Sequence, residues 1–184
     1  MSVQQKYLLW IDCEMTGLDV KTDTLVQIHG IITDNRLRVI SEYPGIQYIQ
    51  HPQSVLDNMC DWCKNTFSEN GLLEELKAAK YTMTDVEAMF TTWLDRHQDS
   101  DNATWIIAGN SIHQDRVFLN EYMPTLASHL HYRMLDVSSF KIALPRLFDD
   151  QHWGFRKKGA HTARADILES IAELRHYRKL LSNR

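Results

Sequence analysis

Short apolar runs separated by turn residues occupy the first 50 positions of the chain. Apolar and β-branched residues dominate positions 7–14, 25–33 and 39–49, and Pro44-Gly45 interrupts the third run. Runs of this length, bounded by turn residues, are typical of β-strands. The first third of the chain is therefore predicted to form strands.

Helical periodicity follows in the middle of the chain. Thr84-Asp85-Val86-Glu87 has the form of a capping box, and apolar residues then recur at a spacing of three and four positions. Ser111-Ile112-His113-Gln114 has the same form and is predicted to open a second helix, which Pro124 helps to end. These two patterns predict helices on the carboxyl side of the strand-rich segment.

Two further apolar runs, at 104–108 and 132–137, predict strands among the helices. Ser138 is expected to cap the next helix, and Pro145 is expected to kink it or end it early. One apolar face predicts a last helix over 163–181. Strands followed by strands alternating with helices predict an α/β fold, with one mixed five-stranded sheet flanked by helices in a single domain over 1–184.

Composition narrows the class of protein. The chain has 184 residues, 43% of them apolar and 24% charged, which suits one soluble globular domain. No apolar run approaches the ~20 residues that span a bilayer, and the first residues lack the apolar core of a secretory signal. We expect a cytoplasmic protein, or a mitochondrial one if a presequence has been removed.

Charge and cysteine content give two further limits. A net charge of −4 argues against binding of long nucleic acid through contacts with many phosphates. Three cysteines are an odd number, which suits a reducing compartment rather than a disulfide framework. Cys60-x-x-Cys63 stands without a second such pair, so it is only a weak signal for a metal or redox site.

The strongest chemical signal is a pair of acids within the first apolar run. Asp12 and Glu14 are two positions apart, so their side chains point to the same face of the predicted strand. Two anions on one face of a buried strand repel each other and lose hydration. A divalent cation offsets both effects, and carboxylate oxygens suit Mg²⁺ or Mn²⁺.

Two more acids stand at predicted helix starts. Asp115 lies in the first turn of the helix after the 104–108 strand, and Asp166 lies at the start of the last helix, five residues after His161. Taken alone, each aspartate is more typical of a residue that caps a helix or interacts with the helix dipole. The histidine, taken alone, is more typical of a solvated loop residue. The four acids together favour a site, at which an imidazole is a suitable general base because its pKa lies near neutral pH.

Four segments then carry a family resemblance. Residues 10–18, 109–115, 131–138 and 161–169 resemble oligoribonuclease, a family of DEDDh exonucleases with the ribonuclease H-like fold. Agreement of several motifs in the same order over nearly the whole chain makes chance a poor explanation. The resemblance implies a 3′-to-5′ exoribonuclease that degrades short RNAs, especially dinucleotides, to nucleoside 5′-monophosphates.

The resemblance also implies roles for individual residues. Two Mg²⁺ or Mn²⁺ ions would be held by Asp12, Glu14, Asp115 and Asp166, and His161 would activate the attacking water. Tyr132 would act at the 5′ phosphate, in the family from the second subunit of a homodimer. Substrate contacts are implied for Leu18, Trp62, Ser111, Gln114, Arg133, Ser138 and Lys141.

These substrate contacts divide by position. Leu18 would separate the two bases and Trp62 would stack on one of them, although Trp62 also fits core packing. Ser111 and Gln114 would surround the terminal nucleotide. The remaining residues would close off the 5′ phosphate and so exclude longer RNA, although Arg133 also fits a salt bridge between subunits.

The chain departs from the family pattern at several positions. Phe67 stands where many relatives have a phosphate-contacting histidine, Ala165 replaces a common aspartate, and 26–28 read Val-Gln-Ile before His29-Gly30. If the 5′ cap is open, a broader DEDDh exonuclease acting on longer RNA or DNA ends is the alternative. A second alternative is a non-catalytic relative that binds RNA ends, which chelator-insensitive binding without turnover would indicate.

Overall fold

The computed structural model describes residues 6–45, 47–98, 104–148, 152–156 and 162–183. Its strands are β1 (Tyr7–Met15), β2 (Leu25–Asp34), β3 (Val39–Glu42), β4 (Trp105–Gly109) and β5 (Leu130–Asp136). Its helices are α1 (Gln53–Asp57), α2 (Asp61–Glu69), α3 (Leu72–Ala78), α4 (Met83–Asp95), α5 (His113–Tyr122), α6 (Pro124–Ser128), α7 (Val137–Phe148) and α8 (Ala163–Ser182).

The five strands form one sheet in the order β3-β2-β1-β4-β5. β1 is antiparallel to β2 along its whole length, but it pairs in parallel with β4 only at Leu9 and Trp10. β5 is parallel to β4 and lies at an edge of the sheet. The prediction of a mixed five-stranded sheet flanked by helices is confirmed.

Alternation along β1 divides the core into two layers. Leu9, Ile11 and Cys13 belong to a buried cluster that includes residues of α4, α5 and α6. Trp10 belongs to a second cluster on the other face, with buried residues of α7 and α8. Because alternate residues share a face, Asp12 and Glu14 continue the row begun by Trp10, toward α8.

The segment between β3 and α4 differs from the prediction. β3 ends at Glu42, and beyond it Tyr48 makes an isolated bridge to Gln27. The helices α1, α2 and α3 were not predicted, because helices of five to nine residues are too short for a clear periodic signal. They surround a third apolar cluster centred on Phe67, which is fully buried and covers Val26 of β2.

Two further helix details differ from the prediction. The capping box of α4 is formed by Thr82 and Asp85, two residues earlier than expected: Thr82 Oγ1 accepts the Asp85 N–H at 3.2 Å, and Asp85 accepts the Thr82 N–H at 2.9 Å. α7 continues through Pro145 to Phe148, so the early end is wrong, whereas the alternative of a kink at Pro145 stays a prediction. A helix-interior proline costs about 3 kcal/mol, and burial of Leu144 against α8 offsets part of that cost.

Among the described residues, no helix is long and apolar enough to cross a membrane. Each helix instead carries polar residues on at least one side, as expected for helices that cover a sheet.

Candidate active site

Three carboxylates meet at the carboxyl end of β1. Asp12 and Glu14 from β1 and Asp166 from α8 each offer an oxygen, and these oxygens lie within 4.8 Å of one another. All three residues are partly exposed, so the cluster is open to solvent and to a ligand. The structure thus brings together three of the four acids that the sequence singled out.

The local sequence explains why Asp166 faces the strand. Ala163 and Ile167 are buried on α8, and helical spacing places Asp166 beside them in the first turns. The Asp166 N–H donates to the Thr162 carbonyl at 3.0 Å, and Ser170 Oγ donates to the Asp166 carbonyl at 2.8 Å. The backbone of this residue is therefore held within the helix while its carboxylate points toward β1.

Electrostatic repulsion is strong in this cluster. Burial, then the charges of Asp166 and Asp115, raise the pKa of Glu14 to about 8. Carboxylates that resist ionisation in this way gain free energy when a divalent cation replaces the proton. The oxygen donors of these three described carboxylates fit a hard cation such as Mg²⁺ or Mn²⁺.

Asp115 reaches β1 from the opposite layer of helices. Its Oδ1 accepts the N–H of Cys13 at 2.9 Å, at a position beyond the last β1 residue paired with β4. The carboxyl group is buried, and this burial raises its pKa to about 7 although the hydrogen bonds from Cys13 act in the opposite direction. Asp115 is close enough to raise the pKa of Glu14, but it is not part of the group of three.

His161 lies outside the described residues, so its predicted role as the base stays a prediction. The described part of this segment resumes at Thr162, which occupies the N-cap position of α8.

Leu18 and Trp62 lie on exposed surface near the end of β1, and Gln114 is half-buried beside Leu18. Leu18 is 76% exposed in the turn after β1, and Gln114 Nε2 donates to its carbonyl at 2.8 Å. Trp62 is 57% exposed on α2, which argues against core packing. The start of α2 is fixed to the same turn, because the Cys60 N–H donates to the Thr16 carbonyl at 3.1 Å.

The turn that presents Leu18 depends on Asp23, which sequence reasoning missed. Asp23 accepts hydrogen bonds from Thr16 Oγ1 at 3.0 Å and from the Asp19 N–H at 2.9 Å. A Cβ at Gly17 would lie 2.4 Å from the Asp23 carboxylate, so any other residue there would displace that carboxylate from its hydrogen bonds in the turn. The available signal was a second aspartate, Asp23, four residues after Asp19.

Ser111 and Ser138 meet where β4 and β5 end. Ser111 has a φ of 50°, and its N–H donates to Asp136 Oδ1 at 2.9 Å and to Ser138 Oγ at 3.0 Å. The predicted capping roles are therefore wrong: α5 begins at His113 without a side-chain cap, and Asp136 Oδ1 accepts the Ser138 N–H at 2.8 Å. A backbone turn at Ser111 replaces the cap.

Tyr132 and Arg133 on β5 and Lys141 on α7 are exposed. Tyr132 is 73% exposed on the edge strand β5, and the Arg133 guanidinium lies 5.1 Å from the centre of its ring. β4 separates β5 from β1 in the sheet. With neighbouring strands ~4.8 Å apart, Tyr132 lies roughly 10 Å across the sheet from the row that carries Asp12.

A family model described as Exonuclease matches residues 9–174. The chain belongs to the exonuclease family. Within this family, the probable oligoribonuclease of Caenorhabditis elegans is 46% identical over 175 residues, which cover 95% of this chain and 89% of that protein. The oligoribonucleases of Aromatoleum aromaticum and Haemophilus influenzae are 43% and 41% identical, and each alignment covers 97% of this chain and at least 96% of the relative.

Solved exonuclease structures share the fold. Exonuclease I from Methylocaldum szegediense superimposes with a TM-score of 0.67 at 18% identity, over 94% of this chain and 40% of that one. E. coli exonuclease I in complex with a dT13 oligonucleotide superimposes with a TM-score of 0.66 at 18% identity, over 97% of this chain and 43% of that one. This chain thus spans about two fifths of their length, and the predicted ribonuclease H-like fold is confirmed.

Proposed function

We propose that the protein is a metal-dependent 3′-to-5′ exoribonuclease that degrades short RNAs, especially dinucleotides, to nucleoside 5′-monophosphates. The meeting of Asp12, Glu14 and Asp166 within 4.8 Å is the observation that carries the proposal. The relatives named oligoribonuclease support the substrate class, because they match this exonuclease-family chain over nearly its whole length.

The proposed cofactors are two Mg²⁺ or Mn²⁺ ions. Asp12, Glu14, Asp115 and Asp166 would hold them, since Asp12 and Asp166 lie beside Glu14 and the charges of Asp166 and Asp115 raise the pKa of Glu14. When bound, divalent ions stabilise charge on the scissile phosphate and lower the pKa of water. The protein provides the negative charge that attracts the ions and a rigid strand that fixes two of the carboxylates.

Protein residues would orient the RNA and remove the proton of the attacking water. Trp62 offers an exposed ring for one base, a contact worth ~1–3 kcal/mol, and Leu18 projects from the turn held by Gln114 so as to separate the two bases. The hydroxyl of Ser111 would bind the terminal nucleotide. His161, on the segment before α8, would accept the proton.

We further propose a homodimer in which Tyr132 acts on the partner's site. Five large apolar side chains are exposed on β5 and α7, namely Tyr132, Met134, Ile142, Leu147 and Phe148. An edge strand next to an exposed apolar surface favours association with a second chain. Tyr132 is separated from its own acidic cluster by β4, whereas a partner chain would present it directly with Arg133 and Lys141.

A time course with 5′-labelled RNAs of two to seven nucleotides tests the proposal, with Mg²⁺, Mn²⁺ or EDTA. Rapid metal-dependent loss of the dinucleotide, with slower attack on longer RNAs, is the expected result. The Asp12→Asn variant is the matched control, because it keeps the side-chain shape and removes the charge. Absence of cleavage at every length would contradict the proposal.

A broader exonuclease is the second candidate, and the burial of Phe67 favours it. This side chain is fully buried in the cluster formed by α1, α2 and α3, so it offers no contact to a 5′ phosphate. A 5′ cap without that contact would exclude longer substrates less strictly. Equal or faster cleavage of the longer RNAs would identify this second function while leaving the metal site in place.

A further inference from the structure

A polar network of three residues borders the acidic cluster on its β2 side. His29 Nε2 of β2 lies 3.2 Å from Glu42 Oε1 of β3. Arg164 of α8 donates to the same carboxylate twice, from Nε to Oε1 at 2.5 Å and from Nη2 to Oε2 at 3.2 Å. A forked arginine–carboxylate pair with a buried imidazole behind it thus joins three separate elements.

This network adjoins both supports of the acidic cluster. His29 is directly opposite Asp12 in the β1–β2 register, so the two side chains share one face of the sheet. Arg164 lies in the first turn of α8, two residues before Asp166. The network therefore runs from the strand neighbour of one acid to the helix start that carries another.

The rest of α8 is fixed to the sheet by a different set of contacts. One turn after Asp166, Ser170 Oγ donates to Asn110 Oδ1 at 2.6 Å, and Asn110 Nδ2 donates to Glu173 Oε2 at 3.0 Å. These bonds hold the middle of the helix to the end of β4. They do not restrain the first turn, where helices lack internal hydrogen bonds and fray most easily.

We propose that Glu42 and Arg164 are positioning residues that hold the first turn of α8 against β3, and thereby keep the Asp166 carboxylate beside those of Asp12 and Glu14. His29 supports this arrangement, because the residue is buried and its Nε2 lies 3.2 Å from Glu42 Oε1. The inference rests on the proposed metal-dependent function. It assigns the pair a role in divalent-ion binding rather than in contact with RNA.

The direction in which an Arg164 substitution changes cation affinity distinguishes a positioning role from a purely electrostatic one. Removing the positive charge of Arg164 near an acidic cluster would strengthen cation binding if charge alone mattered. Positioning predicts the opposite, because a displaced Asp166 weakens the site. Arg164→Lys should also weaken cation binding. A lysine ammonium keeps the positive charge but cannot make the two parallel hydrogen bonds that the guanidinium donates to Glu42.

Isothermal titration of the full-length protein with Mn²⁺ alone is the direct test. We expect Arg164→Gln and Glu42→Gln each to weaken Mn²⁺ binding about fivefold, a size typical of one exposed, well-aligned pair. The double variant should be no weaker than either single variant, because both disrupt the same contact. Arg38→Gln is the matched control: it removes the arginine of a comparable ion pair, 2.6 Å from Asp34, at the far end of β2.

Kinetics on a dinucleotide provide the second measurement. At low Mn²⁺ the two variants should have reduced kcat with unchanged KM for RNA, and high Mn²⁺ should restore kcat. Tighter or unchanged Mn²⁺ binding by Arg164→Gln, or equal weakening by Arg38→Gln, would overturn the positioning role and leave the proposed function intact. A wild-type protein that neither binds Mn²⁺ nor cleaves RNA would overturn both.

Discussion

Replacing Glu14 by glutamine should stabilise the metal-free protein while removing its ability to bind the cation. Glu14 has its pKa raised from 4.5 to about 8 by burial and by the charges of Asp166 and Asp115. The folded state therefore binds this proton more tightly than the unfolded state. Between pH 4.5 and about 8 the unfolded state is ionised and folding must take up a proton, so the free energy of unfolding falls as pH rises through this window.

The size of the effect follows from the two pKa values. Each tenfold difference in proton affinity corresponds to about 1.4 kcal/mol, so Glu14 lowers the free energy of unfolding by about 4 kcal/mol at pH 8. The same reasoning gives only about 1.4 kcal/mol at pH 5.5, where the folded state keeps the proton. A neutral glutamine avoids this loss at both pH values. The free energy of unfolding of Glu14→Gln should therefore exceed that of the wild type by an amount that grows with pH.

Urea unfolding in EDTA at pH 5.5 and pH 8 measures this gain directly. We expect Glu14→Gln to be more stable than the wild type at pH 8 and much closer to it at pH 5.5. Glu69→Gln, which removes an exposed carboxylate on α2, is the control for a general change in net charge. Addition of Mn²⁺ should reverse the order, because only the wild type gains stability from the ion.

Two results would refute this reasoning. An equal gain at both pH values would show that packing, rather than ionisation, separates glutamine from glutamate at this position. A destabilised variant at pH 8 in EDTA would show that the folded protein already relieves the repulsion among these carboxylates without a cation.

Three other substitutions test the site. Asp12→Ala should abolish cleavage and leave the circular dichroism spectrum unchanged, and retained Mn²⁺-dependent activity would contradict its role as a ligand. Trp62→Ala should raise KM for a dinucleotide roughly 5- to 150-fold, the equivalent of ~1–3 kcal/mol of stacking; an unchanged KM would remove the stacking role. Tyr132→Ala should lower kcat/KM on a 5′-phosphorylated dinucleotide without lowering the melting temperature, and an unchanged kcat/KM would eliminate the 5′ cap.

Features set by local sequence could be predicted, whereas those set by packing between distant segments could not. Alternation along β1 is a local property, so the shared face of Asp12 and Glu14 followed from their spacing. The pairing of Asp115 with the Cys13 N–H depends on where β4 stops pairing with β1, which no local pattern reveals. The contact between Glu42 and Arg164 joins positions 122 residues apart.

The helix starts show the same limit in another form. The motifs at Thr84 and Ser111 have the composition of capping boxes, but composition does not determine which hydroxyl reaches the first free N–H groups. At α4 the box lies two residues earlier, at Thr82. At Ser111 the N–H donates to Asp136 Oδ1, and the hydroxyl lies 3.3 Å from the Ser138 hydroxyl rather than capping the helix.

The three acids of the cluster are not held with equal strength, and this difference has a consequence for the metal site. Asp12 and Glu14 are fixed by continuous pairing of β1 with β2. Asp166 depends on the first turn of a helix, the part of a helix most easily disordered. A cation that contacted all three would therefore stabilise the first turn of α8 further, because it would bind the Asp166 carboxylate to those of β1.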